Sequence, residues 1–181
     1  MAIDRRRFIG TAAAATAIGA PFVRRAHAQA KKIIFGGSVP ASGRAAETGL
    51  NVQNGYLTAV KYINEVLRGV EIAGEKYQLD LRIFDDASDP ARATTLTQRL
   101  IDDGVDFFLG SFGSNIVLPT VAICERAGKP MVQTGGGSDA IFTRGYKYSF
   151  GMFPRATRQF MEHQKLIRTR DNHWRSAGKA S

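Results

Sequence analysis

Residues 77–109, YQLDLRIFDDASDPARATTLTQRLIDDGVDFFL, decide the fold because they contain a strand, a helix and a second strand in direct succession. Apolar and polar residues alternate from Tyr77 to Phe84, which is the period of a β-strand. Asp89 is placed to cap a helix and Pro90 suits its first position. Gly104 ends this helix, and the apolar residues 105–109 predict a buried second strand. A strand–helix–strand succession predicts a parallel pair with a helical crossover.

The rest of residues 31–154 continues this alternation. Helices are predicted from Val52 to Leu67, closed by Gly69, and from about Asn115 to Ala127, with Pro119 limiting the regularity of its first turn. The further predicted strands are Lys31–Gly36, Val70–Ile72 (in a hairpin with Tyr77–Phe84), Met131–Thr134 and Tyr148–Phe153. The sequence therefore predicts an α/β fold with a mostly parallel sheet flanked by helices.

Ligands of such sheets bind at the carboxyl ends of the strands. The loops that follow the predicted strands are rich in Gly, Ser, Thr and Asp: they are Ser38–Thr48, Asp85–Asp89, Gly110–Asn115 and Thr134–Asp139. Hydroxyl groups and backbone N–H groups in these loops suit a small polar ligand.

The net charge of +9 does not belong to the predicted domain. Residues 29–154 hold thirteen basic and thirteen acidic residues, so the surplus lies in residues 1–28 and 155–181. A nucleic-acid groove would need its positive charge on the folded body. The charge pattern therefore argues against nucleic-acid binding.

The first 28 residues are predicted to be a secretory signal peptide. Arg5-Arg6-Arg7 precedes a weakly apolar stretch, and Ala26-His27-Ala28 provides a small-x-small cleavage site. The twin arginine favours the twin-arginine (Tat) route into the periplasm, which leaves no membrane anchor. The alternative is a basic N-terminal helix that stays attached. No run reaches the roughly 18 apolar residues of a membrane span, so stable membrane insertion is not expected.

Enzyme chemistry has little support in the sequence. The three histidines, His27, His163 and His173, all lie outside residues 29–154, which removes a Ser–His or Cys–His pair from that block. Cys124 lies on the apolar face of a predicted helix and is expected to be a buried structural thiol. No cofactor is predicted. One alternative remains open, an exported α/β enzyme or signalling domain with a metal site at Asp85, Asp86 and Asp89.

Several segments in order resemble the N-terminal lobe of periplasmic substrate-binding proteins of ABC transporters, of the branched-chain amino acid (Leu/Ile/Val-binding) type. The residues that carry the resemblance are Ser42-Gly43, Gly49, Asn54-Gly55, Ile63-Asn64, Asp85-Asp86-Ala87-Ser88-Asp89-Pro90, Asp103-Gly104-Val105, Gly110, Ser114, Pro119 and Arg144-Gly145-Tyr146. The resemblance implies one lobe of a type I periplasmic-binding-protein fold, whose relatives have two lobes that close on a small ligand. It implies an ABC permease as the partner of the full-length protein. Some relatives carry a disulfide at the positions of Ser88 and Gly113, and this chain lacks it.

The resemblance also implies a ligand site. Ser114 would bind the ligand carboxylate through its hydroxyl and N–H, unless it serves only as a helix cap. Gly135 and its neighbours would offer a carbonyl to the ammonium group of a zwitterion. Gly137 stands where the family usually has a threonine, so the adjacent Ser138 becomes the candidate hydroxyl. Thr48, at a position often aromatic in the family, and Asn115 complete the predicted set. Relatives bind amino acids, amides or aromatic acids, so the ligand stays open.

Residues 155–181 are predicted to be a basic tail. A helix over Arg158–Ile167 is compatible with the sequence, and the remainder resembles a solvated segment. The composition changes abruptly after Pro154 where relatives continue into a second lobe. We therefore expect a truncated or frame-disrupted product with impaired binding, lacking that lobe and monomeric. The alternative for the tail is binding to anionic lipid.

Overall fold

A computed structural model of the chain describes residues 31–177, with side-chain surroundings described up to residue 170. The predicted signal peptide at residues 1–28 lies outside the described part. Within that part, contacts group the chain from Lys31 onward into one compact unit. No helix in residues 31–177 is both long and apolar enough to cross a membrane.

Six strands and five helices follow one another in this unit. The elements in chain order are β1 (Lys31–Val39), α1 (Ala46–Glu65), β2 (Val70–Ile72), β3 (Glu75–Asp85), α2 (Pro90–Asp102), β4 (Phe107–Leu109), α3 (Ser114–Arg126), β5 (Met131–Gln133), α4 (Asp139–Phe142), β6 (Ser149–Gly151) and α5 (Ala156–Ala177). The strands form one sheet in the order β2-β3-β1-β4-β5-β6. Only β2 is antiparallel to its neighbour, which confirms the predicted hairpin and the mostly parallel α/β sheet.

The order of the strands puts helices on both faces. From β1 the chain crosses to β3 through α1, and from β3 it returns past β1 to β4 through α2. Crossover connections between parallel strands have the same handedness. When the chain reverses its direction along the sheet, the connecting helix therefore lies on the opposite face. In sheets of this kind the ligand crevice lies at the carboxyl ends of the strands where the direction reverses, and these strands are here β1 and β4.

The main core lies between the sheet and helices α2, α3 and α4. Its fully buried members are Leu100, Val105, Phe108, Val117, Val121, Cys124, Met131 and Ile141. Cys124 is 1% exposed, and burial raises the pKa of its thiol to about 12. A thiol that holds its proton so firmly is a poor nucleophile. The prediction that Cys124 is structural is confirmed.

Local sequence signals predict where α2 and α3 begin, but not where α1 begins. The Asp89 carboxylate accepts a hydrogen bond from the Arg92 N–H at 2.7 Å, and Pro90 opens α2, as predicted. Helix α3 begins at Ser114 and continues through Pro119. Helix α1, however, begins at Ala46, six residues before the predicted Val52. The apolar stripe that predicts α1 starts at Val52, between one and two turns later than the helix itself.

The tail prediction was wrong in extent. Instead of a short helix within a solvated segment, α5 spans Ala156–Ala177. The Ala156 N–H donates to the Gly137 carbonyl at 2.8 Å, and the Thr157 hydroxyl donates to Asp139 at 2.8 Å. These bonds to the folded body fix the first turn of α5, and helix formation then propagates from it at little cost per residue.

Candidate functional site

The amino end of α3 faces the crevice and carries no side-chain cap. Gly113 occupies the N-cap position with φ of 96°, in the left-handed region that favours glycine, and offers no side chain to the helix. Ser114 is the first helical residue, which rules out the interpretation of Ser114 as the N-cap. The first N–H groups of a helix have no partner within the helix and favour an anion.

Ser114 is held in place by the loop after β5. Its Oγ accepts a hydrogen bond from the Ser138 N–H at 3.1 Å, and the residue is half-buried. A hydroxyl that accepts from an N–H keeps its own proton for donation. The Ser114 hydroxyl can therefore donate to a carboxylate while the protein fixes its position.

The loop after β4 and the loop after β5 form a second contact through Gly135. The Gly113 N–H donates to the Gly135 carbonyl at 3.1 Å, and Phe112 pairs with Gly135 as an isolated β-bridge. A Cβ on Gly135 would lie 2.5 Å from the Ser111 carbonyl oxygen. Only glycine permits this approach, which brings the two loops to one place.

Gln133 shapes the glycine run that follows β5. Its side chain is fully buried; Nε2 donates to the Gly136 carbonyl at 3.1 Å, and Oε1 accepts from the Gly136 N–H at 2.8 Å. The Gly137 carbonyl accepts from Ala156, so the same run is tied to α5. Sequence reasoning missed Gln133, although a polar residue that ends a buried strand before three glycines was a usable signal.

Tyr56 connects α1 to the same two loops. Its hydroxyl donates to the Gly110 carbonyl at 2.7 Å and lies 2.8 Å from the Thr134 Oγ1. Burial raises the pKa of Tyr56, and the hydrogen bond with Thr134 lowers it in part. Sequence reasoning missed this role of Tyr56, because the sequence does not show which loops its hydroxyl reaches.

Asp86 connects the loops at the carboxyl ends of the strands through buried hydrogen bonds. Its carboxylate is fully buried and accepts hydrogen bonds from Ser38 Oγ at 2.9 Å, Ser111 Oγ at 2.7 Å and the Ser88 N–H at 3.0 Å. These partners come from the ends of β1 and β4 and from the loop after β3. One carboxylate therefore connects three of the predicted ligand-binding loops.

The alternative of a metal site at Asp85, Asp86 and Asp89 receives no support from the described residues. Asp85 accepts from the N–H and hydroxyl of Ser42 and from the Ala87 N–H, while Asp89 caps α2. Burial raises the pKa of Asp85, but the hydrogen bonds from Ser42 and Ala87 outweigh it and leave that pKa below its ordinary value. No group of three potential metal ligands occurs within the described part of the chain. Asp85, Asp86 and Asp89 each have a separate structural partner.

The other two predicted site residues, Thr48 and Asn115, lie at the edge of the predicted site or outside it. Thr48 is exposed in the first turn of α1, because the loop after β1 ends at Ala45 rather than at Thr48. Asn115 is exposed and lines a cavity of about 270 Å³ with Arg44, Ser88 and Phe112. Ser114, Gly135, Gly137 and Ser138 are brought together, whereas Thr48 and Asn115 form no hydrogen bond with them in residues 31–177.

Comparison with known proteins gives a consistent family. A sequence model described as "periplasmic binding protein" matches residues 32–169, which extends past Pro154 into the segment predicted as a tail. The Leucine-, isoleucine-, valine-, threonine-, and alanine-binding protein of Pseudomonas aeruginosa is 34% identical over 111 residues, covering 61% of this chain and 28% of that protein.

Solved structures agree with the sequence relatives. The branched-chain amino acid transporter substrate binding protein LivJ from Streptococcus pneumoniae, in complex with isoleucine, is similar with a TM-score of 0.62 and 28% identity, covering 69% of this chain and 34% of that one. A solute binding protein of an ABC transporter from Rhodopseudomonas palustris, in complex with 3,4-dihydroxy benzoic acid, has a TM-score of 0.56 and 25% identity, covering 68% and 32%.

The chain thus spans about a third of the length of the relatives it matches. The family match covers well over half of the chain, and the parallel sheet with its open carboxyl edge agrees with it. The chain belongs to the periplasmic binding protein family.

Proposed function

We propose that the described lobe binds the carboxylate of a small extracytoplasmic ligand, and that the protein is the solute-binding component of an ABC importer. The observation that carries the proposal is the uncapped amino end of α3 with the Ser114 hydroxyl beside it. Helix N–H groups and a hydroxyl that still has a proton to donate form a site for one carboxylate.

The loop Gly135–Ser138 completes this proposed site. The Ser138 N–H is used by Ser114, so the Ser138 contribution to the ligand is its hydroxyl. The carbonyls of Gly135 and Gly137 each accept one backbone N–H and keep a second lone pair for an ammonium group. Thr48 and Asn115 lie at the margin in this proposal.

The ligand class follows from what the relatives' ligands share. Isoleucine and 3,4-dihydroxy benzoic acid both carry a carboxylate, while only isoleucine carries an ammonium group. We propose an amino acid as the first candidate and a neutral amide as the weaker one, because a helix amino end favours an anion.

Localisation and partner follow from the family. We propose a periplasmic protein that delivers its ligand to an ABC permease, exported through the twin-arginine signal at residues 1–28. Replacing Arg5 and Arg6 together by lysine tests the route, because a receptor-read signal loses export when its arginines are changed. Undiminished export of the Arg5→Lys/Arg6→Lys variant would contradict this part.

Titration calorimetry tests the binding proposal directly. We expect heats of binding with leucine or isoleucine and none with leucinamide, which has the same side chain and ammonium group but no carboxylate. Benzoate tests whether a carboxylate suffices without the ammonium group. Equal binding of leucine and leucinamide would overturn the assignment of α3 as a carboxylate site.

A further inference from the structure

The buried Gln133 side chain occupies a space that neighbouring glycines leave free. A Cβ on Gly110 would lie 2.7 Å from the Gln133 Cβ, and a Cβ on Gly151 would lie 3.1 Å from its Nε2. A Cβ on Gly136 would lie 3.1 Å from its Oε1. Glycines on three sides therefore make room for a side-chain amide that is 0% exposed. An amide buried in this way needs hydrogen-bond partners at both of its ends.

The glycine run after β5 contains one peptide unit that Gln133 alone holds. This is the unit between Gly136 and Gly137, whose carbonyl accepts a hydrogen bond from Gln133 Nε2 at 3.1 Å. The Gly137 N–H, at the other end of the unit, forms no hydrogen bond with any group in the described part of the chain. The carbonyl and the N–H of a planar trans peptide point in opposite directions. Because the carbonyl points at the buried Gln133 amide, the Gly137 N–H points away from it.

The peptide units on either side are also held by other residues. The unit before it is held by Gly113, whose N–H donates to the Gly135 carbonyl at 3.1 Å. The unit after it is held by Ala156, whose N–H donates to the Gly137 carbonyl at 2.8 Å. Only the unit between them loses its single hydrogen bond when the side chain at position 133 cannot donate. That unit can then rotate, because the glycine at each of its ends has no Cβ to restrict the backbone.

The Gly137 N–H is next to the proposed carboxylate site. Gly137 immediately precedes Ser138, whose N–H donates to Ser114 Oγ at 3.1 Å. The Ser114 hydroxyl accepts in this bond and keeps its own proton for donation. A carboxylate has two oxygens and accepts several hydrogen bonds, so a hydroxyl and a neighbouring N–H can bind it together.

We propose that Gln133 is a positioning residue of the carboxylate site. By holding the Gly136 carbonyl in the interior, Gln133 directs the Gly137 N–H toward the ligand as a donor beside the Ser114 hydroxyl. The inference rests on the proposed function and adds to it a buried side chain that acts without touching the ligand. It gives a physical reason for a buried polar side chain at the end of β5.

The substitution Gln133→Glu makes this hydrogen bond depend on pH. A protonated glutamic acid has the size of glutamine and can donate to the Gly136 carbonyl as Nε2 does. The ionised form still accepts from the Gly136 N–H but has no proton for the carbonyl, so it releases the Gly136–Gly137 peptide unit. Burial raises the pKa of a carboxyl group, which places this change between about pH 5 and about pH 8.

Titration calorimetry with leucine measures the effect at these two pH values. We expect the affinity of Gln133→Glu to fall about tenfold or more from the lower to the higher pH, because a hydrogen bond to the ligand carboxylate is lost. The wild type should show no such fall. Glu125 and Arg126 on α3 and Asp139 on α4 are charged side chains of the helices that border the same space. They are unchanged in the variant, so the wild-type profile is the control for them.

Gln98→Glu is the matched control variant. It makes the same chemical change on the exposed side of α2, where Gln98 Nε2 donates to Asp102 at 3.0 Å, and it should leave the pH profile of leucine binding as in the wild type. Thermal unfolding at both pH values verifies that each variant is folded. If Gln133→Glu unfolds at the higher pH, Gln133→Met takes its place. Methionine has a similar length and cannot donate, so we expect about tenfold weaker binding of leucine at either pH.

Equal affinity of folded Gln133→Glu at the two pH values, or wild-type affinity of Gln133→Met, would overturn the inference. The NMR amide signal of Gly137 separates this failure from a failure of the proposed function. Absence of leucine binding by the wild type would contradict the proposed function. The ligand-free Gln133→Glu variant should even then show a Gly137 signal that titrates with the new carboxyl group. A Gly137 signal that does not respond would overturn the role of Gln133 with or without ligand binding.

Discussion

The Oγ of Ser114 accepts a hydrogen bond from the Ser138 N–H at 3.1 Å, which joins the first residue of α3 to the loop after β5. The two residues are 24 positions apart in the chain and come from neighbouring βα loops. In this bond the Ser114 hydroxyl is the acceptor, so its proton stays available, and we propose that it donates to the ligand. The site therefore depends on the loop after β5 as much as on α3.

Ser114→Ala removes the proposed donor to the ligand. We expect a loss of about 10- to 100-fold in affinity for leucine, since a hydrogen bond to a charged group contributes about 1.5–3 kcal/mol. Calorimetry measures the change. Asn115→Ala is the matched control, because Asn115 is adjacent but lines the cavity toward Ser88. Equal losses in both variants would contradict the role given to Ser114.

Asp86→Ala removes the acceptor that joins the loops after β1, β3 and β4. The hydroxyls of Ser38 and Ser111 are left buried without this partner, and we expect the free energy of unfolding to fall by about 3 kcal/mol. Urea unfolding measures this change. Asp102→Ala, on the exposed side of α2, should change it by about 0.5 kcal/mol or less. A small effect at Asp86 would show that the loops are held by other contacts.

Tyr56→Phe removes the hydroxyl that ties α1 to Gly110 and Thr134. We expect a loss of about 1 kcal/mol in stability and faster amide hydrogen exchange in both loops. Exchange detected by mass spectrometry reads the loops without any ligand. Tyr62→Phe, on the same helix but exposed, is the control and should leave exchange unchanged.

The raised pKa of Tyr56 predicts that the stability of the protein depends on pH in the alkaline range. Its pKa is raised by burial, so the folded state binds the phenol proton more tightly than the unfolded state does. The stability from this group is complete below the unfolded pKa of about 10 and is lost as the pH rises through the folded pKa. The stability difference between the wild type and Tyr56→Phe should therefore shrink above pH of about 10. Parallel profiles would contradict this.

Gly135→Ala tests the close approach of the two loops. A Cβ there would lie 2.5 Å from the Ser111 carbonyl oxygen and 2.7 Å from the Phe112 Cα, and backbone atoms cannot move aside cheaply. We expect a loss of about 2 kcal/mol or more, together with loss of ligand binding. Gly55→Ala, in α1 with open space around it, should stabilise the protein by about 0.5–1 kcal/mol. Thermal unfolding compares the two.

Much of the fold could be predicted because its signals are local. The alternation from Tyr77 to Phe84 and the Asp89-Pro90 helix start gave β3 and α2 nearly to the residue. The start of α1 was missed because its first turn lies beyond the apolar stripe, and Thr48 was placed in a loop for that reason. The extent of α5 was missed because bonds to Gly137 and Asp139 fix its first turn.

The sequence by itself determined the α/β alternation, the neutral charge of residues 29–154 and the loops that face the crevice, since periodicity and composition are properties of neighbouring residues. Only the tertiary structure decided which groups meet there. Tyr56 reaches Gly110 and Thr134 across 54 and 78 residues, and Asp86 joins Ser38 and Ser111 across 48 and 25. The sequence shows that a polar residue needs a hydrogen-bond partner, but it does not show which one. Strand order and register determine the partner, because they bring distant loops within hydrogen-bond distance.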